Sequence, residues 1–206
     1  VNATNKFEET RMSVKNFINA ESKDEIIFTK NATESINLVA STFGQENIEK
    51  GDEILITELE HHSNYVPWHY LRETKGAIIK FAPINDDGDI IISKLKELIT
   101  SKTKIIAVTH LSNVTGTIVP IKEIVEIARK KNIPVLVDGC QSAPHIKIDV
   151  RDLDCDFYAI SGHKVYGPTG VGILYAKKKW LEKLPPYIGG GGMISEVNKD
   201  KITYAP

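Results

Sequence analysis

Short apolar runs recur along the chain, and the segments between them carry apolar residues three and four positions apart. The runs lie at residues 25–29, 53–57, 77–82, 104–109, 134–138, 156–161 and 171–176. Most are apolar at every position rather than at alternate ones. A strand with one wet face alternates, whereas a strand covered on both faces need not. The runs therefore predict buried strands of a mostly parallel sheet. Helical spacing fills the gaps at about 4–20, 33–44, 63–76, 93–101 and 121–132; in the last, Ile121, Ile124, Val125, Ile127 and Ala128 form one stripe. Turn-forming residues separate the elements at Gly51-Asp52, Asn85-Asp86-Asp87-Gly88, Asn132-Ile133-Pro134 and Gly167-Pro168.

This alternation predicts an α/β fold: a three-layer αβα sandwich around a mostly parallel sheet of about seven strands. The 206 residues suffice for one such domain with a buried core. Ligands of open α/β sheets bind beyond the carboxyl ends of the strands, so polar residues just after each run are the candidates for chemistry.

Composition narrows the options. Lys and Arg number 26 against 27 Asp and Glu, a net charge of −1, so no field that would gather nucleic acid or an anionic membrane is expected. No apolar run approaches membrane-spanning length. The two cysteines, Cys140 and Cys155, are too few for a disulfide scaffold and match no metal spacing. Val1 is not an initiator methionine, and the first residues read as the middle of a longer protein. Residues 189–192, four glycines in a row, are the one compositional anomaly.

Several runs end in the same kind of signal. The run at 134–138 closes on Asp138, followed by Gly139, Cys140 and Gln141. The run at 156–161 closes on Ser161-Gly162-His163-Lys164, with the turn Gly167-Pro168-Thr169-Gly170 behind it. Asn31-Ala32-Thr33-Glu34 opens a helix after the first run, Glu58-Leu59-Glu60-His61-His62 follows the second, and Thr109-His110 with Asn113 follows the fourth. A metal site among His61, His62, His69 and the nearby glutamates is a competing reading, but the set fits no ligand motif.

In that order these motifs resemble the class V aminotransferase superfamily of fold-type I pyridoxal-phosphate enzymes. Thr33-Glu34-Ser35-Ile36-Asn37 and the stretch from Glu60-His61-His62 to Trp68 resemble the group II cysteine desulfurases and selenocysteine lyases in particular. The resemblance runs from about Asn2 to Pro206 and implies the cofactor-binding large domain of such an enzyme across 1–206. It implies that Lys164 holds pyridoxal 5'-phosphate as a Schiff base and later acts as general base or acid. An amine must be deprotonated to attack an aldehyde, and partial burial lowers a lysine pKa. Asp138 is implied to pair with the protonated ring nitrogen, Gln141 to donate to the ring hydroxyl oxygen, and His61 to stack on the ring. Thr33, beside Ala32 at a helix start, is implied to bind the phosphate, where free N–H groups and the helix dipole favour a dianion. Ser161 and His163 are implied on the phosphate side, and Asn113 near the substrate carboxylate.

The implied substrate is L-cysteine, converted to alanine with an enzyme persulfide, in a cytoplasmic or organellar homodimer that supplies a sulfur-acceptor protein and iron–sulfur cluster assembly. A selenocysteine lyase, an epimerase or aminotransferase of the same superfamily, and a truncated non-catalytic domain remain alternatives. Neither cysteine matches the family's nucleophile, which lies well beyond the lysine, so these residues by themselves are expected to lack sulfur transfer. Cys140 is expected to point into the sheet–helix packing as a poor nucleophile. The glycines at 189–192 are either a mobile loop near a dimer interface or a plain linker.

Overall fold

The structure is a computed structural model that describes residues 1–205. Seven strands form one sheet: β1 (Ile26–Thr29), β2 (Glu53–Thr57), β3 (Ile78–Ala82), β4 (Thr103–Thr109), β5 (Val135–Asp138), β6 (Phe157–Ser161) and β7 (Gly172–Ala176). Their spatial order is β1-β7-β6-β5-β4-β2-β3. Strands β3, β2, β4, β5 and β6 pair in parallel, and β7 runs antiparallel to both β6 and β1. Six strands thus share one direction, and their carboxyl ends lie along one edge.

The unbroken apolar runs follow from two covered faces. On β4, Ile105 and Ala107 join one core cluster while Ile106 and Val108 join the other. Successive side chains of a strand point to opposite faces, so both faces are packed. The first cluster takes in Ile36, Val39 and Phe43 of α2 (Ala32–Asn47) and Trp68 and Leu71 of α3 (Val66–Lys75). The second takes in Leu95 of α4 (Ile92–Leu98) and the stripe Ile121, Ile124 and Val125 of α5 (Ile121–Arg129), with Val14 of α1 (Asn2–Phe17) packed against it. The three-layer expectation is met. Each fully buried Ile, Leu or Val contributes about 1.5–3 kcal/mol relative to exposure.

Helix boundaries depart from the periodicity where local chemistry intervenes. The first helix stops at Phe17, and Asn19 adopts a left-handed φ of 54°. The third starts only at Val66 with Pro67 in its first turn, after a separate 3₁₀ turn at His62–Asn64. It ends at Gly76, whose φ of 73° suits a residue without Cβ. The fourth and fifth end at Leu98 and Arg129, three residues before the expected limits. Two one-turn helices, α6 (Val150–Leu153) and α7 (Lys178–Leu181), and an exposed hairpin of β8 (Ile194–Val197) and β9 (Ile202–Tyr204), were too short for periodicity to reveal. The glycines at 189–192 lead into that hairpin, and a Cβ on any of them would meet no atom within 4 Å. No helix among the described residues is long and apolar enough to cross a membrane.

At the amino edge of the sheet, buried acids are fully partnered. Asp156, before β6, has a solvent-free side chain that accepts from Trp180 Nε1 (2.8 Å) and Val135 N–H (3.1 Å) and pairs with Lys179 (2.8 Å) and Arg129 (3.4 Å). Glu53, opening β2, accepts from Thr100 and Thr103 hydroxyls and pairs with Lys80 at 2.7 Å.

Candidate active site

The loops after β1, β2, β4, β5 and β6 surround a cavity of about 340 Å³ at the carboxyl edge. Ala32 and Thr33 come from the start of α2, His61 from the loop after β2, and Asn113 from the loop after β4. Asp138 and Gln141 come from the end of β5, and Ser161, His163 and Lys164 from the end of β6. All nine expected site residues line this one space.

The start of α2 is held in place by its own sequence. Asn31 caps the helix, its Oδ1 accepting the Glu34 N–H at 2.8 Å. Ser161 Oγ accepts the Ala32 N–H at 3.0 Å, which ties α2 to the end of β6. That leaves the Thr33 N–H without an acceptor among the described residues, at a helix end whose dipole favours an anion. Gly172 permits the approach: a Cβ there would lie 2.4 Å from the Asn31 carbonyl carbon.

Asp138 is 4% exposed. Its Oδ1 accepts the Cys140 N–H at 3.0 Å, and its Oδ2 makes no hydrogen bond among the described residues. A buried carboxylate with an uncommitted oxygen calls for a cation or a strong donor. Lys164 sits on the 3₁₀ turn Gly162–Val165 and is half-exposed. Its Nζ makes neither a salt bridge nor a hydrogen bond among the described residues, which leaves the amine available to an electrophile. The half-exposed site is the partial burial expected of this amine.

His61 is exposed, with Nδ1 accepting the Ser63 N–H at 3.1 Å and 2.8 Å from Ser63 Oγ. An Nδ1 that accepts an N–H places the proton of the neutral ring on Nε2. Asn113 is exposed, and Ser112 rather than Asn113 caps the loop, its Oγ accepting from Val114 and Thr115 N–H groups at 3.2 Å. Gln141 and His163 make no side-chain hydrogen bond among the described residues, so their polar atoms are free to face a ligand. His69 pairs with Glu73 on α3 at 3.1 Å. No group of three potential metal ligands occurs among the described residues.

Cys140 meets its expectation and adds to it. It packs in the sheet–helix core at 7% exposure, yet it also lines the cavity, and its Sγ donates to Ser161 Oγ at 3.7 Å. Burial, with Asp138 adding to it, pushes its thiol up to about 12. Burial pushes Cys155 higher still. Both are thiols rather than thiolates near neutral pH.

Three supporting features include residues that follow strand ends, but their partners carried no signal in the sequence, because each feature depends on contacts between distant segments. His110 Nδ1 and Ser142 Oγ both meet the buried Tyr158 hydroxyl, at 2.8 and 2.7 Å, beneath the Asp138 turn. Burial drops His110 to about 4, so it is neutral. Gly139 lies over that ring, and a Cβ there would come within 1.9 Å of it. Glu60 reaches across to β4. Thr109 and Leu111 add to the cavity wall.

The residues present fit pyridoxal phosphate: an anion-binding helix start, a free amine, and a buried carboxylate oxygen open to a ring N–H share one space. Comparison with known proteins agrees. The family described as Aminotransferase class-V matches residues 1–206. A probable cysteine desulfurase of Halalkalibacterium halodurans is 52% identical over 195 residues, which are 95% of this chain and 48% of that protein. A cysteine desulfurase of Wigglesworthia glossinidia brevipalpis is 50% identical over 197 residues, again 95% and 48%. Among solved structures, the cysteine desulfurase CsdA of Escherichia coli superposes with a TM-score of 0.94 at 40% identity, covering 98% of this chain and 51% of that one. An apo cysteine desulfurase of Thermococcus onnurineus gives 0.91 at 40%, covering 99% and 51%. The chain spans about half the length of the curated relatives it matches.

Proposed function

Because this chain belongs to the class-V aminotransferase family, we propose that residues 1–206 are the cofactor-binding large domain of a pyridoxal-phosphate-dependent cysteine desulfurase. One observation carries the proposal: the unpaired amine of Lys164 and the uncommitted Oδ2 of buried Asp138 line the same cavity as the start of α2. When bound, pyridoxal phosphate supplies a cationic ring that takes up the electrons left when a bond at an amino-acid α-carbon breaks.

The chain's own residues divide the remaining work. Lys164 Nζ would hold the cofactor, and its amine would carry a proton to or from the substrate. Asp138 Oδ2, which has no partner among the described residues, would accept the ring-nitrogen proton and favour the cationic ring. Thr33, the α2 start at Ala32, Ser161 and His163 bind the phosphate. Gln141 donates to the ring oxygen, His61 covers the ring face, and Asn113 orients the substrate. L-cysteine and an enzyme thiol then give alanine and a persulfide. Neither Cys140 nor Cys155 is assigned as that thiol, since a protonated buried thiol is a poor nucleophile. The proposal extends to a cytoplasmic homodimer that passes sulfur to an acceptor protein for iron–sulfur assembly.

The test is to incubate the full-length protein with pyridoxal phosphate and L-cysteine and measure alanine and protein-bound persulfide. Turnover lost in Lys164→Ala and retained in Cys140→Ser supports the proposal. Alanine formation abolished by Cys140→Ser contradicts the exclusion of that thiol. No alanine above the free-cofactor background contradicts the activity.

A further inference from the structure

The loop after β2 carries His61 at an exposed position, and its shape is held by one side chain that the proposed chemistry leaves unused. Glu60 Oε1 accepts the Thr57 hydroxyl at 2.6 Å and the Thr109 N–H at 3.0 Å. Its Oε2 accepts the Asn64 amide at 2.6 Å. Asn64 Oδ1 in turn accepts Trp68 Nε1 at 3.2 Å, and both Asn64 and Trp68 are 0% exposed. One carboxyl therefore joins the end of β2, the far end of the 61–64 turn, the start of α3 through Asn64, and the end of β4. We propose that Glu60 is a positioning residue that fixes the His61 turn over the cofactor cavity. This rests on the assignment of His61 to the ring face.

The inventory of donors and acceptors makes the arrangement directional. The indole of Trp68 can only donate, so Asn64 must present its carbonyl to Trp68 and its NH₂ to residue 60. The Thr109 N–H can only donate as well. Residue 60 must thus accept at both side-chain atoms, which a glutamate does and a glutamine cannot. In Glu60→Gln, the introduced NH₂ would face either the Asn64 NH₂ or the Thr109 N–H. A protonated Glu60 still fits, with its proton directed to Thr57 Oγ1 while Oε2 accepts from Asn64.

Burial is the main force on this carboxyl and pushes it up to about 8, against the lowering hydrogen bonds of Thr57, Thr109 and Asn64; Asp138 adds to the rise. As a residue Glu60 is half-buried, one side lining an adjoining pocket of about 260 Å³. The titratable groups around it are Asp138 on β5 and Glu58, His61 and His62 on its own loop. The segment 111–115 across that pocket brings none, and no lysine or arginine reaches it among the described residues.

The same logic supplies a rescue. In Glu60→Gln combined with Asn64→Asp, the introduced amide NH₂ donates to a carboxylate that also accepts Trp68 Nε1. The amide oxygen at position 60 accepts from Thr57 and Thr109. Every hydrogen bond is restored, and only the one between positions 60 and 64 runs in the opposite direction. The experiment compares wild type, Glu60→Gln, Asn64→Asp and the double variant in the full-length protein. Two readouts are taken: the His61 ring-nitrogen resonances and amide exchange at 57–64 without cofactor, and pyridoxal-phosphate affinity. Glu60→Gln, and Asn64→Asp at a pH alkaline enough that Glu60 has no proton to donate to the new carboxylate, are each expected to speed exchange at 57–64, average the His61 ring signals and weaken cofactor binding about tenfold. The double variant is expected to return within about twofold of wild type on both.

A folded Glu60→Gln with wild-type His61 resonances and exchange overturns the proposal. So does a double variant no better than the worse single. Should Glu60→Gln not fold, Asn64→Asp and the double variant decide in the same way. Loss of folding in all three also overturns it, because a device confined to one turn leaves the sheet core intact. If wild type binds no cofactor while the exchange pattern follows the cycle, the functional proposal fails and the positioning role of Glu60 stands.

Discussion

Asp156 and Glu53 at the amino edge of the sheet are partnered differently from Asp138 and Glu60 at its carboxyl edge. At the amino edge, Asp156 and Glu53 are saturated by cations and donors. At the carboxyl edge, Asp138 has one oxygen uncommitted and Glu60 has three donors but no cation. Asp156, Glu53 and Asp138 are all buried, so burial alone does not set Asp138 apart. What separates them is the cation: the protein supplies one to Asp156 and Glu53, leaves one to a ligand at Asp138, and replaces it with three hydrogen-bond donors at Glu60. The amino-edge pair holds the sheet together, whereas the carboxyl-edge pair serves and shapes the cavity.

The largest expected effect is at the amino edge. Asp156→Ala leaves the Trp180 indole and Val135 N–H without acceptors and should destabilise the fold by about 3–5 kcal/mol. Urea unfolding measures this. Cofactor affinity of the folded variant should stay within about twofold, and a larger loss would blur the division between the edges. Asp138→Ala should invert the pattern. Cofactor binding weakens about 10–100-fold, as expected for a lost charge-assisted bond, while unfolding free energy shifts by about 1 kcal/mol or less. Unchanged affinity by absorbance titration would remove Asp138 from the cofactor's partners.

The edges should also differ in the sign of their pH dependence. Burial raises Glu53, but Lys80, Thr100 and Thr103 together outweigh it and hold the carboxyl below its ordinary range. Its contribution is present above about 4.5 and is lost as pH falls through the lowered value. Glu60 is raised to about 8, so its contribution is full below about 4.5 and is lost as pH rises toward 8. The stability gap between wild type and Glu53→Gln should therefore narrow toward acid, and that between wild type and Glu60→Gln toward alkali. Two gaps that narrow in the same direction would contradict the contrast. The smallest effect is expected for Cys140→Ser, a near-isosteric change beside the cavity that should alter cofactor affinity less than twofold.

Much of this contrast was legible in the sequence only in outline. The seven strands were found to within about a residue because apolar runs covered on both faces leave a continuous signal. All nine expected site residues line one cavity because each follows a strand end, where parallel topology converges. What the sequence did not reveal depends on distant partners. Asp138 was marked by its place at a carboxyl strand end, but nothing local showed that Asp156, before the amino end of β6, is saturated by four partners. Glu60 stood out only as an acid near histidines. Its partners Thr109 and Trp68 lie on β4 and α3 and meet it only in the folded chain. The hairpin of β8 and β9 escaped because its strands of four and three residues are fully or mostly exposed and carry no burial pattern.

The central claim is that the carboxyl edge is built to receive pyridoxal phosphate on Lys164, and covalent trapping tests it most directly. The full-length protein is mixed with pyridoxal phosphate, reduced with borohydride, digested and mapped by mass spectrometry. The account predicts a new visible absorption band before reduction and the label on Lys164 after it, both absent in Lys164→Ala. A label on another lysine, undiminished in Lys164→Ala, would contradict it.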